Sequence, residues 1–84
     1  MNIVFTDESW EDYIYWHKNY KKILKRINQL IKETQKTPFD GTGKPEPLKF
    51  QLSGCWSRRI NSEHRLVYKV TDENFIILNC RYHY

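Results

Sequence analysis

Ile23, Leu24, Ile27, Leu30 and Ile31 recur at i, i+1, i+4, i+7 and i+8, in a stretch otherwise crowded with Lys21, Lys22, Lys25, Arg26 and Lys32. On an α-helix these five residues form one apolar stripe, and the cations lie outside it. A helix of this kind is stable only when its stripe is covered, so the rest of the chain must supply a second layer. The helix should end before Pro38, whose ring cannot continue it. At 84 residues the chain has room for one modest core, because so short a chain hides only about 60–65% of its unfolded surface.

The flanking segments say what that layer is. Ile3-Val4-Phe5 reads as a short strand, closed by Asp7 as the N-cap of a first helix. That helix carries Trp10, Tyr13, Ile14 and His17 at steps of three and four, and a break near Asn19-Tyr20 separates it from the second. Residues 37–47 hold all three Pro (Pro38, Pro45, Pro47) with Gly41 and Gly43, and read as a long loop. Loops of that length in small domains are usually functional or disordered, and three constraining prolines favour function. Beyond it come three strand patterns: Trp56 to Ile60, His64 to Thr71 with alternating Leu66, Tyr68 and Val70, and Phe75 to His83 centred on Ile76-Ile77-Leu78. The expected fold is α+β, in the order β-α-α-β-β-β: a small antiparallel sheet with both helices on one face, forming a single domain over residues 1–84.

Composition narrows the function. Apolar residues make up only 39%, but aromatics reach 15% and each ring buries a large area. Net charge is +4, with Asp7, Glu8, Glu11 and Asp12 near the start and cations concentrated from Lys18 to Lys36 and from Lys44 to Arg65. This distribution leans toward an anionic partner. Neither a signal peptide nor a membrane span is visible. Cys55 and Cys80 are too few and too far apart for a disulfide framework or a redox motif, and read as reduced packing residues in a cytoplasmic protein. The three His and two Cys show no zinc spacing, so no metal or cofactor is expected.

Cleaving RNA without a metal requires a base for the 2′-hydroxyl, a cation for the pentacoordinate phosphate and an acid for the leaving 5′-oxygen. One set of residues at loops and strand ends could supply these. Glu46 lies between Pro45 and Pro47, which restrict its backbone; it reads as a positioned base or as an exposed loop charge. Arg58, Arg59 and Arg65 surround one hairpin turn, with Lys49 nearby. Adjacent strand residues face opposite sides, so only one of Arg58 and Arg59 can join Arg65. These cations read as a phosphate site or as charge protecting an edge strand. Arg81-Tyr82-His83-Tyr84 follows directly from an apolar strand, and His83 can serve as acid or base or be a terminal residue without a role. His17 reads as a core residue, His64 as a hairpin residue, and Trp10, Tyr13 and Trp16 as core aromatics rather than a base-stacking platform.

Several segments carry a resemblance: Glu8-Ser-Trp-Glu-Asp-Tyr, Thr37-Pro-Phe, Gly41-Thr-Gly-Lys-Pro-Glu-Pro-Leu-Lys49, Leu52-Ser-Gly, Trp56-Ser-Arg-Arg-Ile60, Glu63-His-Arg-Leu-Val-Tyr68 and Cys80-Arg-Tyr-His-Tyr84. Together they resemble the YoeB toxins, the YoeB/Txe group of the RelE/ParE superfamily, along the whole chain. The Gly-Lys-Pro-Glu-Pro-Leu-Lys loop and the Arg-Tyr-His-Tyr ending are the most specific of them. Cys55, where an aromatic often stands in the family, looks like a packing change. The resemblance implies a microbial-ribonuclease-like (RelE-like) fold and a type II toxin that enters the ribosomal A site and cuts mRNA there, after the second or third nucleotide of the codon. By position it makes Glu46 the general base, His83 the general acid, Arg65 the stabiliser of transition-state charge and Tyr84 an orienting group. Lys49 and Arg59 would hold the mRNA backbone. It also implies a YefM-like antitoxin, the 70S ribosome with its mRNA and a second copy of the chain as partners. Two other functions remain open: a ParE-like inhibitor of DNA gyrase without nuclease activity, and a toxin that blocks the ribosome sterically.

Overall fold

The computed structural model describes residues 1–82; His83 and Tyr84, expected above to bear catalytic roles, lie outside the described residues. In chain order the elements are β1 (Asn2–Phe5), α1 (Asp7–Asn19), α2 (Lys21–Lys36), β2 (Glu46–Pro47), β3 (Trp56–Arg59), β4 (Arg65–Val70) and β5 (Asn74–Asn79). They make one five-stranded sheet in the order β1-β5-β4-β3-β2. Strands β2 to β5 are successively antiparallel, while β1 lies parallel to β5, Asn2 facing Asn74. The α+β class and the helix–strand order are as expected. The sheet is mixed rather than antiparallel as expected, since β1 runs parallel to β5, and the segment read as loop contains the two-residue β2; pairing between residues so far apart in sequence has no local signature.

Helix α2 follows the reading closely. Ile27, Leu30 and Ile31 are buried and Ile23 and Leu24 half-buried. The helix ends at Lys36, before Pro38. Its stripe meets Leu66 and Tyr68 of β4 and Phe75 and Ile77 of β5 in one core that also takes Trp16 from α1. Both helices therefore cover the same face of the sheet.

Helix α1 differs from expectation in two respects. Its N-cap is Thr6 rather than Asp7: the Thr6 Oγ1 accepts from the Ser9 amide at 3.2 Å, and Asp7 is the first helical residue, where its charge favours the positive end of the helix dipole. Its inward face runs through Ser9 and Trp16, not through His17, which is exposed. Ser9 is wholly buried and its hydroxyl donates to the Ile77 carbonyl at 2.7 Å, so only a small side chain fits where α1 crosses β5. Trp16 is the core aromatic, its indole N–H donating to the Cys80 carbonyl at 2.8 Å. Trp10 is 49% exposed and stacks on Tyr13 at the rim.

The last strand is shorter than the reading of Phe75 to His83. Register shifts between Val67 and Tyr68, which face Asn79 and Ile77, so Leu78 is an extra residue on β5. This bulge reverses the in–out alternation of the residues beyond it. Phe75, Ile77 and Cys80 all reach the helix-covered face and are fully buried, whereas Ile76 and Leu78 are only half-covered. Both cysteines are free, and burial with the nearby Asp12 charge pushes the Cys80 thiol up to about 12, which keeps it an inert packing residue. Among the described residues, no helix is long and apolar enough to cross a membrane.

Candidate active-site cleft

Three strands place the candidate residues. Glu46 of β2 faces Ser57 of β3, which faces Val67 of β4; one step further, Arg59 of β3 faces Arg65 of β4. Cross-strand partners point the same way, and residues two apart share a face. Glu46, Ser57, Arg59, Arg65 and Val67 therefore stand on the face opposite the helices. They line a cleft of about 170 Å³ together with Lys44 and Leu48. Glu46 owes its direction to strand pairing as well as to its flanking prolines. Pro47 is tolerated there because β2 is an edge strand.

Arg58 has the role opposite to its neighbour. It faces the helices, is wholly buried, and its guanidinium donates to the Tyr68 hydroxyl at 3.2 Å and to the carbonyls of Thr42 (3.1 Å), Asp40 (2.8 Å) and Thr37. The Tyr68 hydroxyl in turn donates to the Pro38 carbonyl at 2.7 Å. One buried cation thus staples the Pro/Gly segment to the sheet. The segment is held from outside too, where Glu33 Oε1 accepts from the Thr42 amide at 3.0 Å, a bond that lowers the Glu33 pKa. Gly43 (φ +87°) closes it: its carbonyl accepts from the Arg59 amide at 2.6 Å. Lys44 also adopts positive φ as the chain turns into β2.

Arg65 is half-buried at the cleft wall, its Nη1 donating to the carbonyls of Asn61 (2.8 Å) and His64 (3.1 Å). Its amide donates to the Tyr82 carbonyl at 2.8 Å, so residue 82, which His83 follows, arrives beside Arg65. Lys49 is exposed, begins a single 3-10 turn at Phe50–Leu52 and stands outside the cleft lining.

Of the residues singled out from sequence, the structure gathers Glu46, Arg59 and Arg65, leaves Lys49 outside the cleft lining, and places Arg58 in the core. Lys44 and Ser57 join the cleft without having been singled out; strand alternation from Arg59 could have found Ser57. His64, read as a plain hairpin residue, is buried and accepts from the Tyr82 amide through Nδ1. Three cations around one carboxylate suit an anionic phosphodiester, with an oxygen base at hand. No cluster of His, Cys, Asp and Glu able to hold a metal occurs among the described residues.

The comparisons with known proteins cover this whole arrangement. Residues 5–84 match the family model for the YoeB-like toxin of bacterial type II toxin-antitoxin systems. The toxin YoeB of Escherichia coli K12 is 61% identical over 84 residues, spanning all of both chains. A YoeB/ParE toxin from Agrobacterium tumefaciens superposes with a TM-score of 0.97 at 45% identity, again over all of both chains. YoeB of Staphylococcus aureus, 49% identical and covered to 98% by all of this chain, was solved as a dimer (TM-score 0.94) and in complex with YefM (TM-score 0.92). With the cleft's loop and strands inside the matched region, and identity this high across the full length, the chain belongs to the YoeB-like toxins of bacterial type II toxin–antitoxin systems.

Proposed function

We propose that this toxin is a ribosome-dependent endoribonuclease that cuts mRNA in the ribosomal A site and so stops translation. Glu46 takes the proton from the 2′-hydroxyl, and the freed oxygen attacks the adjacent phosphorus. Arg65 neutralises charge on the pentacoordinate phosphate. His83 gives a proton to the departing 5′-oxygen, leaving a 2′,3′-cyclic phosphate and a 5′-hydroxyl. Tyr84 orients the reacting phosphate or base, while Lys49 and Arg59 hold the mRNA backbone. The observation that carries this reading is the cross-strand placement of Glu46, Arg59 and Arg65 in one cleft. The scheme uses no metal. Activity belongs on the ribosome because a small, open cleft does little to orient a flexible RNA by itself.

The exposed lysines of α2, Lys21, Lys22, Lys25 and Lys32, suit ribosomal RNA, through contacts that weaken with salt. A YefM-like antitoxin and a second copy of the chain are the protein partners proposed, on the strength of the Staphylococcus aureus complex and dimer. The place of action is then the cytoplasm.

Primer extension on mRNA held in programmed ribosomes tests the reading, comparing wild type with Glu46→Gln and His83→Ala and with protein lacking residues 83 and 84. A discrete cut in the A-site codon, lost in all three variants and absent without ribosomes, is the expected result. Blocked translation with no cut would move the protein to the steric class. Inhibition of gyrase in a supercoiling assay, again with no cut, would make it a ParE-like inhibitor.

A further inference from the structure

We infer that His64 is a positioning residue for the cleavage reaction: its Nδ1 pins the backbone at Tyr82, the point from which the chain continues to His83. The inference rests on the ribonuclease reading above for its functional consequence, but on geometry of its own.

Two consecutive residues at the start of β4 grip Tyr82 from both sides. The Tyr82 amide donates to His64 Nδ1 at 2.6 Å, and the Tyr82 carbonyl accepts from the Arg65 amide at 2.8 Å. Between these bonds Tyr82 adopts a left-handed conformation (φ +62°). A non-glycine residue stays there only when its surroundings over-determine it. The Tyr82 ring is 55% exposed and also packs on His64, ring centroids 5.4 Å apart, so His64 holds this residue by ring contact as well as by hydrogen bond.

Several described contacts fix the imidazole for this task. It is only 7% exposed and stands edge-on to Trp16, ring centroids 4.7 Å apart. Its Nε2 lies 3.5 Å from Glu63 Oε1, which favours the tautomer with the proton on Nε2 and leaves Nδ1 as the acceptor. The turn carrying it is locked by Asn61 Oδ1, which accepts from the amides of Glu63 (2.9 Å) and His64 (2.7 Å).

Among the described residues, three side-chain contacts anchor this segment before Tyr82. Asp12 Oδ2 accepts from the Cys80 amide at 3.1 Å, the Cys80 carbonyl accepts from Trp16, and the Arg81 guanidinium stacks 3.5 Å from the Tyr15 ring centroid. His64 supplies the side-chain hydrogen bond that comes after them. Because the same hairpin presents Arg65 to the cleft, one turn sets both that cation and the backbone at Tyr82, the residue before His83 in the sequence.

Two substitutions separate this role from simple packing. His64→Phe keeps a ring against Trp16 but removes the acceptor. His64→Asn removes the ring but offers an amide oxygen near the place of Nδ1. Single-turnover cleavage at saturating programmed ribosomes should slow by about tenfold or more in His64→Phe and stay within about threefold of wild type in His64→Asn, with ribosome affinity little changed in either, as expected when a catalytic group is misplaced by an ångström. Hydrogen exchange at the Tyr82 amide, read in the free proteins, should accelerate in His64→Phe and remain slow in His64→Asn. A packing role predicts the reverse order of activities, and that order, or wild-type cleavage by His64→Phe, overturns the inference. If His83→Ala cuts at the wild-type rate, the ribonuclease assignment of His83 fails instead, while the Tyr82 exchange still reports whether His64 forms the clamp.

Discussion

Arg59 and Arg65 are direct cross-strand partners on the open face of the sheet, two like charges side by side above Ser57 and Glu46. Such a pairing costs stability unless an anion sits between the charges. The fold accepts that cost at the one place where a phosphate is expected.

Removing one cation should relieve the repulsion. Arg59→Ala is expected to raise stability by about 0.2–1 kcal/mol, read by urea unfolding at low salt, while weakening productive binding of mRNA-loaded ribosomes more than the cleavage step. Arg65→Ala should instead slow cleavage by about 10²–10³-fold, as for loss of a donor to a developing oxyanion. Equal effects of the two substitutions on the cleavage step would show that the pair does not divide the work in this way.

Arg58 offers the contrasting case. Replacing it with Met would leave the carbonyls of Thr37, Asp40 and Thr42 without their shared donor. The expected loss is on the order of 3 kcal/mol or more, with Arg58→Lys recovering part of it. Equilibrium unfolding checks the number. Limited proteolysis between residues 37 and 45 checks the location, because the segment released is the one that leads into Glu46.

Two glycines with similar backbones separate strain from crowding. Gly43 and Gly54 both have positive φ, +87° and +94°. A Cβ at Gly43 would lie 3.1 Å from the Arg59 carbonyl oxygen and 3.2 Å from Leu30 Cδ2, whereas one at Gly54 meets nothing within 4 Å. Gly54→Ala should therefore cost only the left-handed penalty of about 1–2 kcal/mol, and Gly43→Ala measurably more. Comparable melting temperatures for the two variants would contradict this.

Asp12 gives a pH-dependent test. Its pKa is raised above 3.8, chiefly because burial opposes the charge, against the favourable hydrogen bond from the Cys80 amide. A raised carboxyl pKa contributes stability that is fully present below 3.8 and lost as pH rises through the folded value. Asp12→Asn keeps an acceptor for Cys80 and carries no charge. It should match or exceed wild-type stability at pH 7, and that advantage should shrink below pH 3.8. Thermal unfolding at pH 3 and pH 7 reads the difference; a variant less stable than wild type at pH 7 would mean that the charge, not the acceptor, matters at Cys80.

Patterns that repeat over short distances were legible in the chain before any fold was known. The stripe from Ile23 to Ile31 specified α2, Pro38 its end, and the alternation of Leu66, Tyr68 and Val70 the central strand. The same alternation implied that Arg58 and Arg59 must part, and Arg59 joined Arg65 while Arg58 went to the core. Folding was needed to reveal the parallel seat of β1 against β5, the strand pairing that directs Glu46, the bulge at Leu78 that turns Cys80 inward, and the grip of His64 on Tyr82. Each of these joins residues distant in sequence through hydrogen bonds to backbone groups. Those bonds depend on which groups are left to be satisfied once the core has closed, and they leave no periodic trace in the chain.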